Sequence, residues 1–155
     1  KPLVVDADAL NLLAAAPRSL DRWVLTPHPG EAARLLATTS AAVQADRLEA
    51  ARKLQARFGG TVVLKGAGSI VHGAAGIPGI CDRGNPGMAV GGMGDVLTGV
   101  IAGILAQAAA PALAARAGVY VHALAGDLAA RRGERGMLAT DVLEQVRACV
   151  NPACA

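Results

Sequence analysis

The sequence predicts an α/β fold with a mostly parallel sheet, and three observations support this prediction. Apolar runs of four to six residues alternate with longer segments of helical periodicity, a pattern typical of successive βα units. The 155 residues are 53% hydrophobic and 17% charged, so a single domain can bury a sizeable core and a disordered chain is excluded. One Trp, one Tyr and one Phe are present, so we expect a core of aliphatic side chains and Ala.

The first half of the chain predicts three strands with helices between them. In order, these elements are strand 3–5, helix 9–16, strand 23–26, helix 31–37, a helix from 40 to about 58, and strand 61–65. Pro27 and Pro29 end the second strand, because proline cannot donate to a β-ladder. Ser40 is expected to cap the long helix, and Gly59 and Gly60 to terminate it.

The second half predicts a hairpin followed by helices. The expected elements are strands 69–72 and 79–82, a glycine-rich loop over 83–94, helix 95–109, a helix from Pro111 to about 132, and helix 141–149 capped by Thr140. Residues 96–115 carry no charge, a length that could span a bilayer. Gln107 and Pro111 interrupt this run, and much of it is Ala and Gly, so a buried helix pair is favoured and no membrane segment is expected.

Charge and cysteine content limit the partners and the compartment. The net charge of +3 comes from scattered basic residues without a clustered stripe, so nucleic acid is not expected as a partner. The cysteines are Cys81, Cys149 and Cys154, an odd number without a CxxC pair. This pattern favours a reducing compartment, and we expect a cytoplasmic protein with neither disulfides nor a zinc site.

The glycine-rich segment 84–95 is the most informative part of the sequence. Its glycines precede an apolar helix, and successive backbone amides at a helix N-terminus can bind a phosphate. Asp95 would repel a phosphate, but it could accept the proton of a hydroxyl that attacks phosphorus. The alternative interpretation is that Asp95 only caps the helix. The segment is neither a Walker loop nor a dinucleotide fingerprint.

A second candidate phosphate site follows the third predicted strand, at Lys65, Gly66, Ala67, Gly68 and Ser69. Ligands of open α/β sheets bind beyond the carboxyl ends of the strands, where a Lys can meet phosphates. A hairpin turn with a solvated Lys is the alternative.

Two further strand ends carry polar side chains. His28 is held between two prolines, yet a loop His is more often simply exposed. Glu31 either helps to bind Mg²⁺ through water or favours the start of a helix, and the helix start is the preferred interpretation. Turn and capping roles are expected for Asp6, Asp8 and Asn11. For His122 and Asp127 we expect packing within or near the end of a helix.

Together these motifs resemble those of the ADP/ATP-dependent NAD(P)H-hydrate dehydratases. The matching segments are 6–11, 25–31, 65–68, 84–99, 122–127 and 136–141, and the run Gly-Gly-Met-Gly-Asp-Val-Leu-Thr-Gly at 91–99 is the most specific. The resemblance covers nearly the whole chain in the expected order. Pro86 and Val90 depart from the small residues expected at their positions.

The resemblance implies a ribokinase-like three-layer αβα sandwich, present over residues 1–155 as a partial domain that lacks its N-terminal part. It implies that Asp95 is catalytic and that His28 and Asp95 contact the hydrated dinucleotide. It further implies that Lys65 to Ser69 and Gly94 contact the nucleotide, and that the amides of Gly92, Met93 and Gly94 form an anion hole. ADP or ATP would be the phosphoryl donor, with Mg²⁺ bridging the phosphates.

The resemblance also implies a homo-oligomer. Members of this family are often fused to an epimerase domain, and the sequence leaves open whether one precedes residue 1. Because the strand at 3–5 begins without a preceding element, residues 1–155 alone are expected to be inactive. Two alternatives stay open at this point. The first is a ribokinase-like kinase of a small vitamin-precursor alcohol, which would release a phosphorylated product. The second is a non-catalytic nucleotide-binding fragment, which would have no turnover to lose when Asp95 is substituted.

Overall fold

The computed structural model describes residues 1–107 and 109–151 as an α/β sandwich. The strands are β1 (Leu3–Val5), β2 (Trp23–Leu25), β3 (Thr61–Leu64), β4 (Ile70–His72) and β5 (Gly79–Ile80). The helices are α1 (Ala7–Ala15), α2 (Pro29–Leu36), α3 (Ser40–Ala45), α4 (Arg47–Phe58), α5 (Met93–Leu105), α6 (Pro111–Ala130) and α7 (Ala139–Val150). A short 3-10 turn, Pro86–Met88, lies in the glycine-rich loop.

The five strands form one sheet in sequence order. β1, β2 and β3 pair in parallel, and the β4–β5 hairpin adds two antiparallel pairings at the far edge. Every residue of β2 and β3 is buried, which is why these strands are continuous apolar runs rather than alternating ones. The predicted mostly parallel sheet is confirmed, since four of the five strands point the same way.

Helices cover both faces of the sheet. On one face, Leu25, Val62 and Leu64 pack with Leu54, Phe58 and other residues of α1 to α4. On the opposite face, Val24, Val63 and Val71 pack against α5 and α6. A third apolar cluster joins α5, α6 and α7. Successive strand residues point to opposite faces, so this arrangement gives the three layers of the expected αβα sandwich.

The prediction of a single helix from residue 40 to 58 is wrong. α3 and α4 are separated by Asp46, whose backbone is extended (φ −144°, ψ 85°) and whose carboxylate accepts a hydrogen bond from the Glu49 amide. The chain therefore starts a new helix at Arg47. The first cap is Thr39 instead of Ser40, with the Thr39 hydroxyl accepting from the Ala42 amide.

Helix ends differ from the predictions by a few residues elsewhere. α5 begins two residues early, at Met93, because Gly92 adopts the left-handed conformation (φ 88°) that turns the chain into the helix. It ends at Leu105, well before the expected 109; Ala108 lies outside the described residues, as does Cys154. α7 begins at Ala139 rather than at a cap on Thr140, and the Asp141 carboxylate accepts from the Leu138 amide, 2.7 Å away.

Among the described residues, no helix is long and apolar enough to cross a bilayer.

Candidate functional site

The candidate site lies at the carboxyl ends of the three parallel strands. β1 ends before Asp6, β2 leads into the segment up to His28, and β3 is followed by Lys65. Backbone bonds join these ends, since the Thr26 amide donates to the Val5 carbonyl and the Lys65 amide to the Pro27 carbonyl. Because the strands are parallel, residues far apart in sequence meet at this edge.

Lys65 is held in an ion pair at this edge. Its Nζ lies 2.7 Å from Asp6 Oδ1 and 3.8 Å from Glu31 Oε2, and 18% of the Lys65 side chain is exposed. The segment from Lys65 to Ser69 does form the hairpin turn between the antiparallel strands β3 and β4, but the expectation of a solvated Lys in that turn is wrong. The other Asp6 oxygen, Oδ2, accepts from the Thr98 hydroxyl at 2.8 Å. Asp6 thus links β1, the end of β3 and α5.

This use of Asp6 corrects its expected capping role. Asp6 occupies the N-cap position of α1, but its side chain makes no capping hydrogen bond. The next residue, Ala7, has φ 48°, a strained value for a residue with a Cβ. Burial raises the pKa of Asp6, but the hydrogen bond and charge of Lys65 and the hydrogen bonds of Thr98 and the Ala7 backbone bring that pKa below its usual value. Asp6 is therefore an ionised partner for Lys65.

His28 and Glu31 cap α2 together. His28 Nδ1 accepts from the amides of Gly30 (3.0 Å) and Glu31 (3.4 Å), and Glu31 Oε2 accepts from the His28 amide at 2.7 Å. The preferred helix-start role of Glu31 is confirmed. Glu31 is nevertheless 7% exposed and close to Lys65, so its carboxylate belongs to the site as well. The His28 side chain stays 54% exposed, and its Nε2 lies 3.6 Å from Glu31 Oε1.

The N-terminus of α5 faces this cluster. The first intrahelical hydrogen bond joins the Val96 amide to the Gly92 carbonyl, so the amides of Met93, Gly94 and Asp95 precede the helical ladder. A Cβ placed on Gly94 would lie 3.3 Å from Lys65 Nζ and 3.6 Å from Asp6 Oδ2. Glycine therefore allows the helix start to approach the Lys65 ammonium. Asp95, in the same first turn, is exposed.

The segment after β3 is held by an arginine that the sequence analysis did not single out. The Arg47 guanidinium, at the start of α4, donates to the carbonyls of Leu64, Lys65 and Ala67. A Cβ on Gly66 would come within 2.9 Å of Arg47 Nη2, so this approach also requires glycine. Ser69 closes the turn, with its hydroxyl donating to the Gly66 carbonyl at 3.1 Å.

A cavity of about 710 Å³ opens beside these groups, a volume typical of small-molecule sites. One wall is the loop from Lys65 to Ser69, and Gly94 lies at its edge. The opposite wall comes from the glycine-rich loop and from Val119, His122 and Ala123 of α6. Asp127 holds that loop by accepting hydrogen bonds from the Gly84 amide and the Asn85 side chain.

The structure thus brings most predicted site residues to one edge of the sheet. Seven of them line the cavity: Lys65, Gly66, Ala67, Gly68, Ser69, Met93 and Gly94. Three others, His28, Glu31 and Asp95, lie outside its lining. The sequence analysis missed the roles of Asp6, Thr98 and Arg47. The signal for Asp6 was its place directly after a buried strand, the same criterion that identified Lys65. Thr98 lies within the run 91–99, but that motif gave no sign of a bond to Asp6. Arg47 has no comparable local signal, because it sits on a helix among ordinary helical residues.

A sheet covered by helices on both faces, with polar groups and a helix N-terminus at the carboxyl edge, defines this chain as an α/β protein of the ribokinase-like class. A ribokinase-like protein from Enterococcus faecalis superposes with a TM-score of 0.80 at 32% identity, over 98% of this chain and 54% of that one. The profile of the NAD(P)H-hydrate dehydratase family matches residues 1–148, and this chain belongs to that family.

Two further relatives are informative. The bifunctional NAD(P)H-hydrate repair enzyme Nnr of Escherichia coli is 54% identical over 153 residues, which is 98% of this chain and 30% of that protein. The ADP/ATP-dependent NAD(P)H-hydrate dehydratase of Bacillus subtilis, co-crystallised with ATP/Mg²⁺, superposes with a TM-score of 0.85 at 30% identity. That match covers 96% of this chain and 53% of the Bacillus protein. The chain therefore spans about a third of the bifunctional relative and about half of the Bacillus enzyme.

Proposed function

We propose that this chain carries the nucleotide-dependent site of an enzyme that converts hydrated NADH or NADPH back to NAD(P)H at the expense of ADP or ATP. The observation that carries the proposal is the start of α5. The amides of Met93 and Gly94 precede the helical ladder, and both residues line the 710 Å³ cavity together with Lys65. A Cβ on Gly94 would lie 3.3 Å from Lys65 Nζ, and Asp95 occupies the same helical turn. An anion-binding helix terminus and a proton acceptor are what phosphoryl transfer to a hydroxyl requires.

In the proposed reaction, Asp95 removes the proton of the hydroxyl on the hydrated nicotinamide ring. The hydroxyl oxygen bonds to the terminal phosphorus of the nucleotide as the bond from that phosphorus to the bridging oxygen breaks. The phosphorylated ring then loses phosphate: the C–O bond breaks with its electron pair on the leaving group, and the neighbouring ring carbon gives up a proton. The ring double bond of NAD(P)H is restored, and inorganic phosphate is released.

The remaining site residues position the two ligands. The amides of Gly92, Met93 and Gly94 are proposed as the anion hole that stabilises the transferring phosphoryl group. The segment from Lys65 to Ser69, together with Gly94, is proposed to bind the nucleotide, which agrees with its place in the cavity wall. His28, whose side chain is half exposed, is proposed to contact the hydrated dinucleotide together with Asp95.

Magnesium fits this site as an ion carried by phosphate oxygens. Among residues 1–107 and 109–151, no three His, Cys, Asp or Glu side chains cluster closely enough to hold a metal ion by themselves. Mg²⁺ that bridges phosphates usually keeps several water ligands and needs only one or two carboxylates. Glu31 Oε1, whose contact with His28 Nε2 is 3.6 Å long, can accept a hydrogen bond from such a water. The ion would supply charge neutralisation of the phosphates.

The domain context, the cellular location and the oligomeric state of this chain are also proposals. The match to about half of the Bacillus enzyme supports residues 1–155 as one part of a dehydratase domain, and the bifunctional relative supports a fused epimerase domain. The cysteine pattern supports a cytoplasmic protein. A homo-oligomer is proposed by analogy with the family.

The test is an assay of the full-length protein with hydrated NADH, Mg²⁺ and ADP or ATP, following the recovery of reduced-nicotinamide absorbance. We expect turnover in the wild type and a loss of ~10²- to 10⁴-fold for Asp95→Asn, the usual cost of removing a general base. Asp21→Asn is the matched control, because Asp21 is exposed in a turn between α1 and β2. Near-wild-type turnover in Asp95→Asn would contradict the role of Asp95.

The fate of phosphate separates dehydration from simple kinase chemistry. A dehydratase releases inorganic phosphate in step with NADH, whereas a kinase of a small alcohol would leave a stable phosphorylated product. If the wild type consumes ADP or ATP only with an alcohol and retains its phosphate, the proposed function is wrong. If neither reaction occurs while nucleotide still binds, the chain is a non-catalytic binding module.

A further inference from the structure

His122, on α6, is a buried polar residue whose hydrogen bonding is incomplete. The residue is 8% exposed, and its Nε2 atom is buried with no hydrogen-bond partner within residues 1–107 and 109–151. A buried polar atom without a partner is unfavourable, so such atoms in native proteins call for a water or ligand partner. From the sequence, only packing within a helix was expected for His122.

The surroundings of His122 point to a ligand. The residue lines the 710 Å³ cavity, where its neighbours in the lining include the apolar side chains of Leu97, Val119 and Ala123. Asn85, in the glycine-rich loop, also lines this cavity. Its Nδ2 donates to Asp127, and its Oδ1 is buried without a partner in the described part of the chain. Two residues that line this cavity therefore each carry an unpaired buried polar atom among the described residues.

The state of the imidazole limits what it can bind. Burial lowers the pKa of His122 to about 4, although a hydrogen bond to the Met93 backbone opposes the shift. At neutral pH the ring is uncharged, so it suits an uncharged donor or acceptor better than a phosphate. Phosphate-binding features lie elsewhere in the same cavity, at Lys65 and at the amide of Gly94.

We propose that His122 forms a hydrogen bond to the nucleoside part of the nucleotide bound in this cavity and thereby determines specificity for it. The inference rests on the proposed function for the identity of the ligand. A nucleoside offers uncharged base and ribose groups, and its phosphates would extend toward Lys65 and the start of α5. His122 is then a specificity-determining contact, distinct from the residues proposed for phosphoryl transfer.

The test compares a ligand that has a nucleoside with one that lacks it. ADP and inorganic tripolyphosphate are titrated calorimetrically into the full-length wild type, His122→Leu and His122→Gln. We expect His122→Leu to weaken ADP binding about tenfold, the effect of losing one hydrogen bond, with tripolyphosphate binding unchanged. His122→Gln should recover part of the ADP affinity, because its amide can replace the hydrogen bond.

Two outcomes would overturn this proposal. Equal losses for ADP and tripolyphosphate would mean that His122 only supports the start of α5 through Met93. Unchanged ADP affinity in His122→Leu would mean that the unpaired nitrogen is satisfied without the nucleoside. The proposed function fails separately, because ADP binding without turnover of hydrated NADH contradicts the function but leaves the contact with His122 intact.

Discussion

Lys65 Nζ lies 2.7 Å from Asp6 Oδ1, and this ion pair joins residues that are 59 positions apart in the chain. The side chains of Asp6 and Lys65 are only 10% and 18% exposed, so the pair is largely removed from water. The ammonium also sits beneath the start of α5, where Gly94 leaves room for it. The pair therefore fixes the position of the Lys65 ammonium, beside the helix start where a phosphate is proposed to bind.

Asp6→Asn should destabilise the protein strongly. The variant leaves the Lys65 ammonium buried with Glu31 as its remaining carboxylate, 3.8 Å away, and removing one partner of a buried pair typically costs about 3–5 kcal/mol. Urea unfolding measures the change in free energy. Asp8→Asn is the control, since Asp8 is exposed and its carboxylate accepts from the Asn11 side chain at the surface. A cost below about 1 kcal/mol for Asp6→Asn would argue against a buried pair.

Arg47→Met should weaken nucleotide binding with little effect on the chemical step. Arg47 holds the carbonyls of Leu64, Lys65 and Ala67, and without it the loop that lines the cavity loses its anchor. We expect KM for ADP to rise several-fold at nearly constant kcat. Arg52→Met is the matched control on the same helix, because the Arg52 side chain is 55% exposed and pairs with Glu49 at 3.9 Å. Equal KM values for the two variants would contradict the anchoring role.

Two Gly→Ala substitutions in neighbouring helices should change stability in opposite directions. A Cβ on Gly118 of α6 would lie 2.5 Å from Ile101 Cγ1 and 3.1 Å from Ile101 Cα, so Gly118→Ala forces α5 and α6 apart and should cost about 1–3 kcal/mol. Around Gly103 of α5 a Cβ meets nothing within 4 Å. Gly103→Ala should therefore stabilise by about 0.5–1 kcal/mol through helix propensity. Thermal unfolding of both variants measures the two changes in stability. A change of the same sign in both would contradict the α5–α6 contact.

Mild acid should destabilise the protein through His122. The unfolded residue binds a proton near pH 6.5, whereas burial lowers the pKa in the folded state to about 4. The unfolded state therefore binds more protons between these values, and stability that is complete above pH 6.5 is lost as the pH falls toward 4. By linkage, the wild type should lose about 2 kcal/mol between pH 7.5 and pH 5 from this group.

His122→Gln lacks this titration, so its free energy of unfolding should fall less than that of the wild type over the same pH interval. Urea unfolding at the two pH values measures both losses. Asp and Glu residues titrate in both proteins and cancel in the comparison. Parallel pH dependences would show that His122 is not buried in its neutral form.

The sequence by itself determined the elements whose signals are local. The apolar runs at β2 and β3 indicated buried parallel strands, and the glycines of residues 91–94 before an apolar stretch indicated the start of α5. The motifs at 65–69 and 91–99 also directed attention to the right edge of the sheet. Such signals are readable because backbone conformation and burial leave their pattern within a few neighbouring residues.

Only the tertiary structure decided which of these residues act together. The Thr98 hydroxyl reaches Asp6 across 92 positions, and Arg47 binds a loop that begins 18 residues later. The sequence left Lys65 open between a phosphate contact and a solvated turn residue, and nothing in its own neighbours indicated the pairing with Asp6. Pairings of this kind depend on the order and direction of the strands and on the packing of α5 across them. These are long-range properties that no single segment of the sequence carries.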